Sequence, residues 1–367
     1  MTWSAISWRW PNTTRPRGCG DPARCSSPRI LSRTIPVRCP QIEVEVGEQL
    51  INAPMTEMRI THDLAEVHPS ARAHVTIGIF DGVHRGHRRL LNRMITAAHT
   101  DGHIAAAITF DPHPANVLGY EPLPMLTTIS ERARLMDALG LDWLVVLPFT
   151  SEMAQTPAEE FVHSLIQHLH LAALWGGPDL AFGRDRQGDI PFLRRMGEER
   201  DFSVYVVEPV VWDGSTVNSS RIRAALAAGD VAQAAGCLGR PYRLTGTVVH
   251  GRGLGRRIGI PTANLELPPY RLVPCRGVYA CWASLAGDIY PAVTNVGIRP
   301  TFAGQSLVTE VHLLDFEADL YGQRLALDFI ARLRDERSFP TLNTLVEQIQ
   351  ADIAQSRTVL ASLRSPE

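Results

Sequence analysis

Residues 74–99, HVTIGIFDGVHRGHRRLLNRMITAAH, decide the fold. The segment opens on VTIGIF (75–80), a β-branched run that reads as a buried strand, and turns tightly through DGVHRG (81–86). It enters a helix at about His87, with Leu90, Leu91, Met94, Ile95 and Ala98 on one face at a 3.6-residue period. A glycine-bearing strand-to-helix turn aims backbone N–H groups at one point, which makes it a ready anion site. His84 and His87 stand at its mouth. The pattern alone fits equally well a turn whose glycines only make the bend and whose histidines are solvated.

Composition narrows the chemistry. The chain has no lysine, so all 36 residues of its Lys+Arg total are arginine. A Walker-type phosphate loop and Schiff-base catalysis both need lysine, and neither is available. A nucleotide here must be held by backbone amides, histidine and arginine. That is the style of H-x-G-H nucleotidyl transfer, where imidazoles neutralise charge developing on phosphate without a covalent intermediate.

The 367 residues suggest two domains or three, and 45% apolar with 20% charged residues is ordinary globular composition. A net charge of −2 gives no bulk attraction to nucleic acid or an anionic membrane. No apolar run approaches the roughly 20 residues of a membrane span. The cysteines at 19, 25, 39, 237, 275 and 281 lack metal-ligand spacing and read as free thiols of a cytoplasmic protein.

Residues 1–57 differ from the rest, with seven arginines and one acid in the first forty and no periodicity. They read as a poorly ordered extension, with translation expected to begin near Met55 or Met58. From residue 58, strand and helix signals alternate: strand 104–110 ending at Asp111-Pro112-His113-Pro114, helix 130–139 with Ser130 as N-cap, strand 143–147 and helix 159–170. Strand 172–175, a glycine-rich run (176–189), strand 203–211, helix 222–228 and a short helix ending near Gly239 follow. The alternation implies an α/β domain with a parallel sheet. After Gly239, strands at 242–249, 277–285, 290–296, 308–316 and 324–329 suggest a small antiparallel barrel. A final helix, 341–363, is amphipathic through Leu342, Leu345, Ile349, Ile353 and Leu360. The expected division is extension 1–57, α/β domain 58–239 and barrel domain 240–367.

Ligands of open parallel sheets bind where loops converge beyond the carboxyl ends of the strands. Three loops qualify: the His84/His87 turn, 111–114, and the run to Ser219-Ser220, where two hydroxyls and Arg223 can meet phosphate. Taken alone, Ser219 and Ser220 read more simply as a helix cap. In the second half, GRGLGRRIG (251–259) lies between strands, so it reads as a basic flap over phosphates and not as a dinucleotide fingerprint. Thr262 and Asn264 point to one side of an extended backbone and offer hard oxygen donors to Mg²⁺, although a plain β-turn has the same look. Glu310, an acid in a strand, is either a general base or an outward charge beside His312.

The segments IGIFDGVHRGH (77–87), FDPHP (110–114), DLAFGRDRQGD (179–189), SSRIRAAL (219–226), LGRPYRLTG (238–246), GIPTANL (259–265), GVYA (277–280), NVGIRPTF (295–302), TEVHLLDF (309–316) and LYG (320–322) occur in this order. On them, residues 58–360 closely resemble the bifunctional bacterial riboflavin kinase/FAD synthetase family. The resemblance implies a Rossmann-like nucleotidyltransferase α/β domain, then a flavokinase β-barrel with a C-terminal helix. The implied activities are phosphorylation of riboflavin to FMN with ATP, then adenylylation of FMN to FAD with release of pyrophosphate. For the first domain the resemblance implies that His84 and His87 stabilise phosphate, with Gly78, Phe80, Asp81, Gly82, Asp179, Ser219, Ser220 and Arg223 around ATP and Phe110, Pro112 and His113 on the flavin side. For the second it implies ATP contacts from Gly251, Gly253, Gly255 and Gly259, Mg²⁺·ATP ligation by Thr262 and Asn264, and Glu310 as the base for the riboflavin 5′-hydroxyl. Asn295 would contact the flavin, and Arg299 to Phe302, with Thr301, would form a loop over it.

The chain departs from the family at Asn218-Ser219-Ser220, where Ser-Ser-Thr is usual, at Leu118, where an aromatic is common, and at Arg252, where an acid is frequent. Expected partners are the small-molecule substrates alone, with no nucleic acid and no membrane, and a homo-oligomer is left open. Two rival readings stand beside this one: a chain with one of its two sites active, and a non-catalytic flavin or nucleotide sensor.

Overall fold

The opening segment folds as strand, turn and helix. Strand β2 (Ala73–Ile77) is buried along its whole length and α1 (Arg85–Thr100) buries Leu91, Met94, Ile95 and Ala98. The helix starts two residues earlier than expected, because His84 is itself the N-cap. This computed structural model describes residues 58–251, 255, 258–301 and 304–362. The extension 1–57 lies outside the described residues.

Around β2 a parallel sheet assembles from β1 (Arg59–Thr61), β3 (Ile104–Asp111), β4 (Trp143–Pro148), β5 (Leu171–Gly176) and β8 (Ser203–Val206), in the order β1-β4-β3-β2-β5-β8. Between them lie α2 (Pro114–Val117), α3 (Ile129–Asp137), α4 (Ala158–Leu169), the ribbon β6 (Ala181–Phe182) with β7 (Gly188–Asp189), and α5 (Ile190–Arg200). Successive strand residues face opposite sides. Val75, Ile77, Ala106, Ile108 and Val145 pack with α4 and α5. Ala105, Ala107, Leu144 and Val146 pack with α1 and α3. From β2 the chain runs one way to β3 and returns on the other side as β5, so a crevice opens beyond the carboxyl end of β2. The DGVHRG turn lies there.

Two local expectations change. The third helix is capped by Thr128, not Ser130: Thr128 and Glu131 form a reciprocal capping box that satisfies two helix-end donors at once. The strand expected over 203–211 stops at Val206, and Val211–Trp212 (β9) instead makes a short antiparallel ribbon with Ser215–Thr216 (β10).

Helices α6 (Ser219–Ala228) and α7 (Val231–Leu238) lead into a closed six-stranded antiparallel barrel. Its strands are β11 (Tyr242–Val249), β12 (Ala263–Glu266), β13 (Gly277–Leu285), β14 (Asp288–Thr301), β15 (Gly304–Leu313) and β16 (Arg324–Arg334), ordered β11-β12-β15-β14-β13-β16. Strand β12 is the one that the sequence reading lacked, since four residues carry too little alternation. The barrel interior and the buried faces of α6 and α7 form one apolar cluster that also takes in Leu126.

The last helix, α8 (Leu342–Ala361), keeps Leu345, Ile349, Ile353 and Leu360 of the apolar seam expected for it but not Leu342. Leu342 is 52% exposed, whereas Asp352 and Ser356 are buried at 2% and 0%. Arg334 of β16 donates to the Asp352 carboxylate from Nε at 2.8 Å and Nη2 at 2.7 Å, and Ser356 donates to the Ala292 carbonyl at 3.2 Å. The helix is docked by polar contacts as much as by Leu360.

Candidate functional site

The turn after β2 is strained and heavily tied. Phe80 and Val83 sit at φ 52° and 38°, and positive φ is costly for a β-branched valine. Gly82 N–H donates to Thr127 Oγ1 at 2.9 Å, Val83 N–H to the Phe80 carbonyl at 3.0 Å, and His87 N–H to His84 Nδ1 at 3.3 Å. Three backbone amides at this turn are therefore already engaged by protein acceptors. Arg240, just past α7, donates to the carbonyls of Gly82 (2.6 Å) and Val83 (3.1 Å) and so clamps the turn from the barrel side.

Asp81 organises the site. Its buried carboxylate accepts from Leu126 N–H and Thr127 N–H at 3.0 Å, from Thr127 Oγ1 at 3.1 Å and from Arg223 Nη2 at 2.5 Å. Ser219 Oγ donates to the Asp81 carbonyl at 2.9 Å. The cap of α6 is Asn218, whose side chain accepts from Arg221 N–H at 2.8 Å. The capping expected of Ser219 and Ser220 thus falls to the residue before them, and Ser220 is exposed.

His84 and His87 stack with ring centroids 3.6 Å apart, and Phe80 meets the His87 ring edge-on at 5.2 Å. A Cβ at Gly86 would come within 3.1 Å of the His84 ring, so glycine keeps that position open. Burial lowers the His84 pKa to about 4, with Asp81 opposing and Arg240 and Arg223 assisting. Burial, then His84 and Arg132, holds His87 well below the usual value. His113, which caps α2 by accepting from Ala115 N–H at 3.0 Å, is likewise lowered by burial to about 4. All three are neutral at pH 7.

Arg132, close enough to His87 and His113 to lower both, is 3% exposed and donates to the carbonyls of Ile79 (2.8 Å) and Thr127 (3.4 Å) and to Thr109 Oγ1 (3.3 Å). Its neighbours Asp81 and Asp111 partly offset the burial that lowers its pKa. The sequence reading missed Arg132 and Thr127, although a charge beside Ala133 and Met136 on a buried helix face was the available signal. Phe110 packs edge-on against Phe149 at 5.6 Å, while Pro112 is exposed. Gly78 donates to the Ile108 carbonyl at 3.0 Å. Asp179 is exposed on the loop beyond β5, its carbonyl accepting from Arg186 at 3.0 Å.

A second cluster forms on the barrel wall. Asn264 of β12 pairs in register with Glu310 of β15, which pairs with Asn295 of β14, so three polar side chains stand in one row. Val311 and Val296, one residue on, face the barrel interior, so the row faces outward. A Cβ at Gly251 would strike the Asn264 amide, and one at Gly255 would come within 3.0 Å of Thr262 Oγ1. The flap glycines thus close over Thr262 and Asn264. His312, next along the Glu310 face, makes a 2.7 Å hydrogen bond with the Pro261 carbonyl. Gly259 has open space around it at φ +75°. Arg299 and Thr301 lie on β14 opposite Ser306 and Gly304. Gly253 and Phe302 lie outside the described residues.

Comparison with known proteins separates the same two regions. A FAD synthetase family model matches residues 67–221 and a riboflavin kinase model matches residues 238–360. A bifunctional riboflavin kinase/FMN adenylyltransferase of Pseudomonas fluorescens is 39% identical over 307 residues, covering 83% of this chain and 98% of the relative. The protein of the same name from Bacillus subtilis (strain 168) is 33% identical over 318 residues, covering 84% and 100%. A crystal structure from Streptococcus pneumoniae, described as a macrolide-efflux protein, superposes with TM-score 0.76 at 32% identity, covering 82% of this chain and 99% of that one. Among the described residues of this chain, no helix is long and apolar enough to cross a membrane.

Proposed function

This chain belongs to the family of bifunctional riboflavin kinase/FMN adenylyltransferases, and on that premise we propose which of its residues perform each reaction. It phosphorylates riboflavin to FMN with ATP and adenylylates FMN to FAD. The adenylyltransferase occupies residues 58–239 and the kinase 240–367, in a cytoplasmic protein whose partners are its substrates.

In adenylylation, an FMN phosphate oxygen bonds to the α-phosphorus of ATP while the bond to the β-phosphate oxygen breaks and pyrophosphate leaves. Neutral His84 and His87 donate imidazole N–H bonds to the phosphate oxygens, and the arriving polyphosphate raises their proton affinity. Arg132 supplies fixed positive charge close to His87, and the Asp81–Arg223 pair holds the turn, the 124–127 loop and α6 in register. The supporting observation is the convergence on Asp81 of the turn, Thr127 and the start of α6. Phe110, Pro112 and His113 face the flavin, and Gly78, Phe80, Gly82, Asp179 and Ser220 line the nucleotide.

In phosphorylation, Glu310 accepts the 5′-hydroxyl proton of riboflavin as that oxygen attacks the γ-phosphorus and ADP leaves. Thr262 and Asn264 fit Mg²⁺, since a hydroxyl and an amide oxygen are hard donors and the glycines at 251 and 255 let the flap backbone lie directly against them. The ion would neutralise phosphate charge there. Gly251, Gly253, Gly255 and Gly259 let the flap approach the phosphates, while Asn295, Arg299, Thr301 and Phe302 border the flavin. The supporting observation is the register that sets Glu310 between Asn264 and Asn295.

Chromatography of products from riboflavin, ATP and Mg²⁺ tests the assignment. FMN followed by FAD is expected; FMN alone would remove the adenylylation roles, and neither product would remove both.

A further inference from the structure

At the opposite end of the sheet from the nucleotide turn, three metal-ligating side chains meet. His74 is the second residue of β2, Asp101 is the C-cap of α1, and His103 stands immediately before β3. Because His74 pairs in register with Ala105, the turn from α1 into β3 folds back over the start of β2. We propose that His74, Asp101 and His103 form a binding site for a borderline divalent cation of the Zn²⁺ type, which nothing in the two reactions requires.

Geometry carries the proposal. His74 Nε2 lies 3.4 Å from Asp101 Oδ2 and 3.3 Å from His103 Nδ1, and one ligand atom from each residue lies within 4.8 Å of the others. Zinc binds nitrogen and oxygen at about 2.0–2.1 Å in tetrahedral sites. A tetrahedron with those bonds has edges about 1.63 times as long, roughly 3.3–3.4 Å. The two separations made by His74 match tetrahedron edges, and the third pair, Asp101 with His103, lies within 4.8 Å. One Nε2 proton also cannot serve both partners at once, whereas a central cation takes a lone pair from all three.

The surroundings agree. His74 is 3% exposed, and its Nδ1 has no hydrogen-bond partner, so its Nε2 faces the cluster as its sole polar outlet. Burial and then His103 hold its pKa below the ordinary value, which keeps it in the neutral form that ligates. The Asp101 side chain is 54% exposed, leaving a path for the ion and room for water as a fourth ligand. Arg72, the arginine that acts on His74, is engaged by Asp201 at 3.3 Å and by the Leu171 carbonyl at 3.0 Å. Two imidazoles and one carboxylate suit zinc and not Mg²⁺ or Ca²⁺, which take oxygen ligands.

The test is titration of the chelator-treated full chain with Zn²⁺ alone, by calorimetry and by thermal unfolding. His103→Ala and Asp101→Asn are run beside the wild type, since both positions are open enough for the variants to fold. Expected are one Zn²⁺ bound by the wild type, at least tenfold weaker binding in each variant, and a Zn²⁺-induced rise in Tm confined to the wild type. FMN formation should be equal in all three proteins. Absence of Zn²⁺ binding, or binding that stays within tenfold in either variant, overturns the proposal.

Discussion

His84 shows how burial sets the working form of a residue. An unfolded chain leaves this imidazole near 6.5, whereas the folded protein holds it near 4 through burial, with Asp81 opposing and Arg240 and Arg223 assisting. As pH falls through 6.5 the unfolded state takes up the proton first, so stability is complete above that value and drains until about pH 4. His113, facing Arg223, Asp81 and Arg132, has the same window. Urea unfolding at pH 7, 5.5 and 4.5 should show a progressive loss, and His113→Gln should flatten it; a slope unchanged by that variant would contradict the cause given. His84→Ala should cut FAD formation by about 100-fold or more, the usual loss for a donor aimed at developing charge, while sparing FMN formation. Glu310→Gln should do the reverse, abolishing phosphorylation of riboflavin while supplied FMN still becomes FAD. Product chromatography reads both, and normal kinase activity in Glu310→Gln would return that residue to a solvated charge.

At the scale of elements, α8 separates what periodicity says from what docking uses. Leu342 continues the apolar stripe in sequence yet is exposed, whereas Asp352, paired with Arg334, is buried along with Leu360. Removing one member of a buried pair leaves an uncompensated charge, at a cost of about 3–5 kcal/mol. Arg334→Met should therefore destabilise strongly, whereas Leu342→Ser, at an exposed position, should stay within about 0.5 kcal/mol. Denaturant unfolding of the two variants decides between them, and equal losses would return Leu342 to the apolar seam. Helix caps make the same point. Ser130 and Ser219 are acceptable caps by residue type, but Thr128 and Asn218 hold those places because the incoming chain is extended there.

Across the whole molecule, the barrel half reaches into the turn of the sheet half. Arg240 holds the Gly82 and Val83 carbonyls, and Arg271, before β13, pairs with Glu131 at 2.9 Å and donates to the Met125 carbonyl at 3.0 Å. Leu126 shares one apolar cluster with α6, α7 and the barrel interior. Truncating a buried donor costs about 1–3 kcal/mol, so Arg240→Ala should relax the strained turn and reduce FAD formation by about tenfold or more. FMN formation should persist, even though Arg240 lies within the region that the riboflavin kinase model matches. Equal kcat/KM for FAD formation in the variant and the wild type would show that the turn holds its shape without the clamp.

The sequence by itself determined the parallel sheet, the barrel and the two-part order, because β-branched runs, a 3.6-residue stripe and glycine-bearing turns are local signals. It also marked His84, His87, Asn264 and Glu310 as candidates for chemistry, each beside a plainer structural reading. What it did not determine was company. The row Asn264–Glu310–Asn295 exists only through the pairing of three strands far apart in the chain, one of them a four-residue strand too short to read. The Asp81–Arg223 pair spans 142 positions, and the Arg240 clamp on the Gly82 carbonyl spans 158. Burial, which makes the site histidines neutral and encloses Arg132 close to His87 and His113, is a property of the closed fold and not of any residue's neighbours along the chain. Tertiary structure decided these because hydrogen bonds and desolvation act over a few ångströms of space, whatever the separation in sequence.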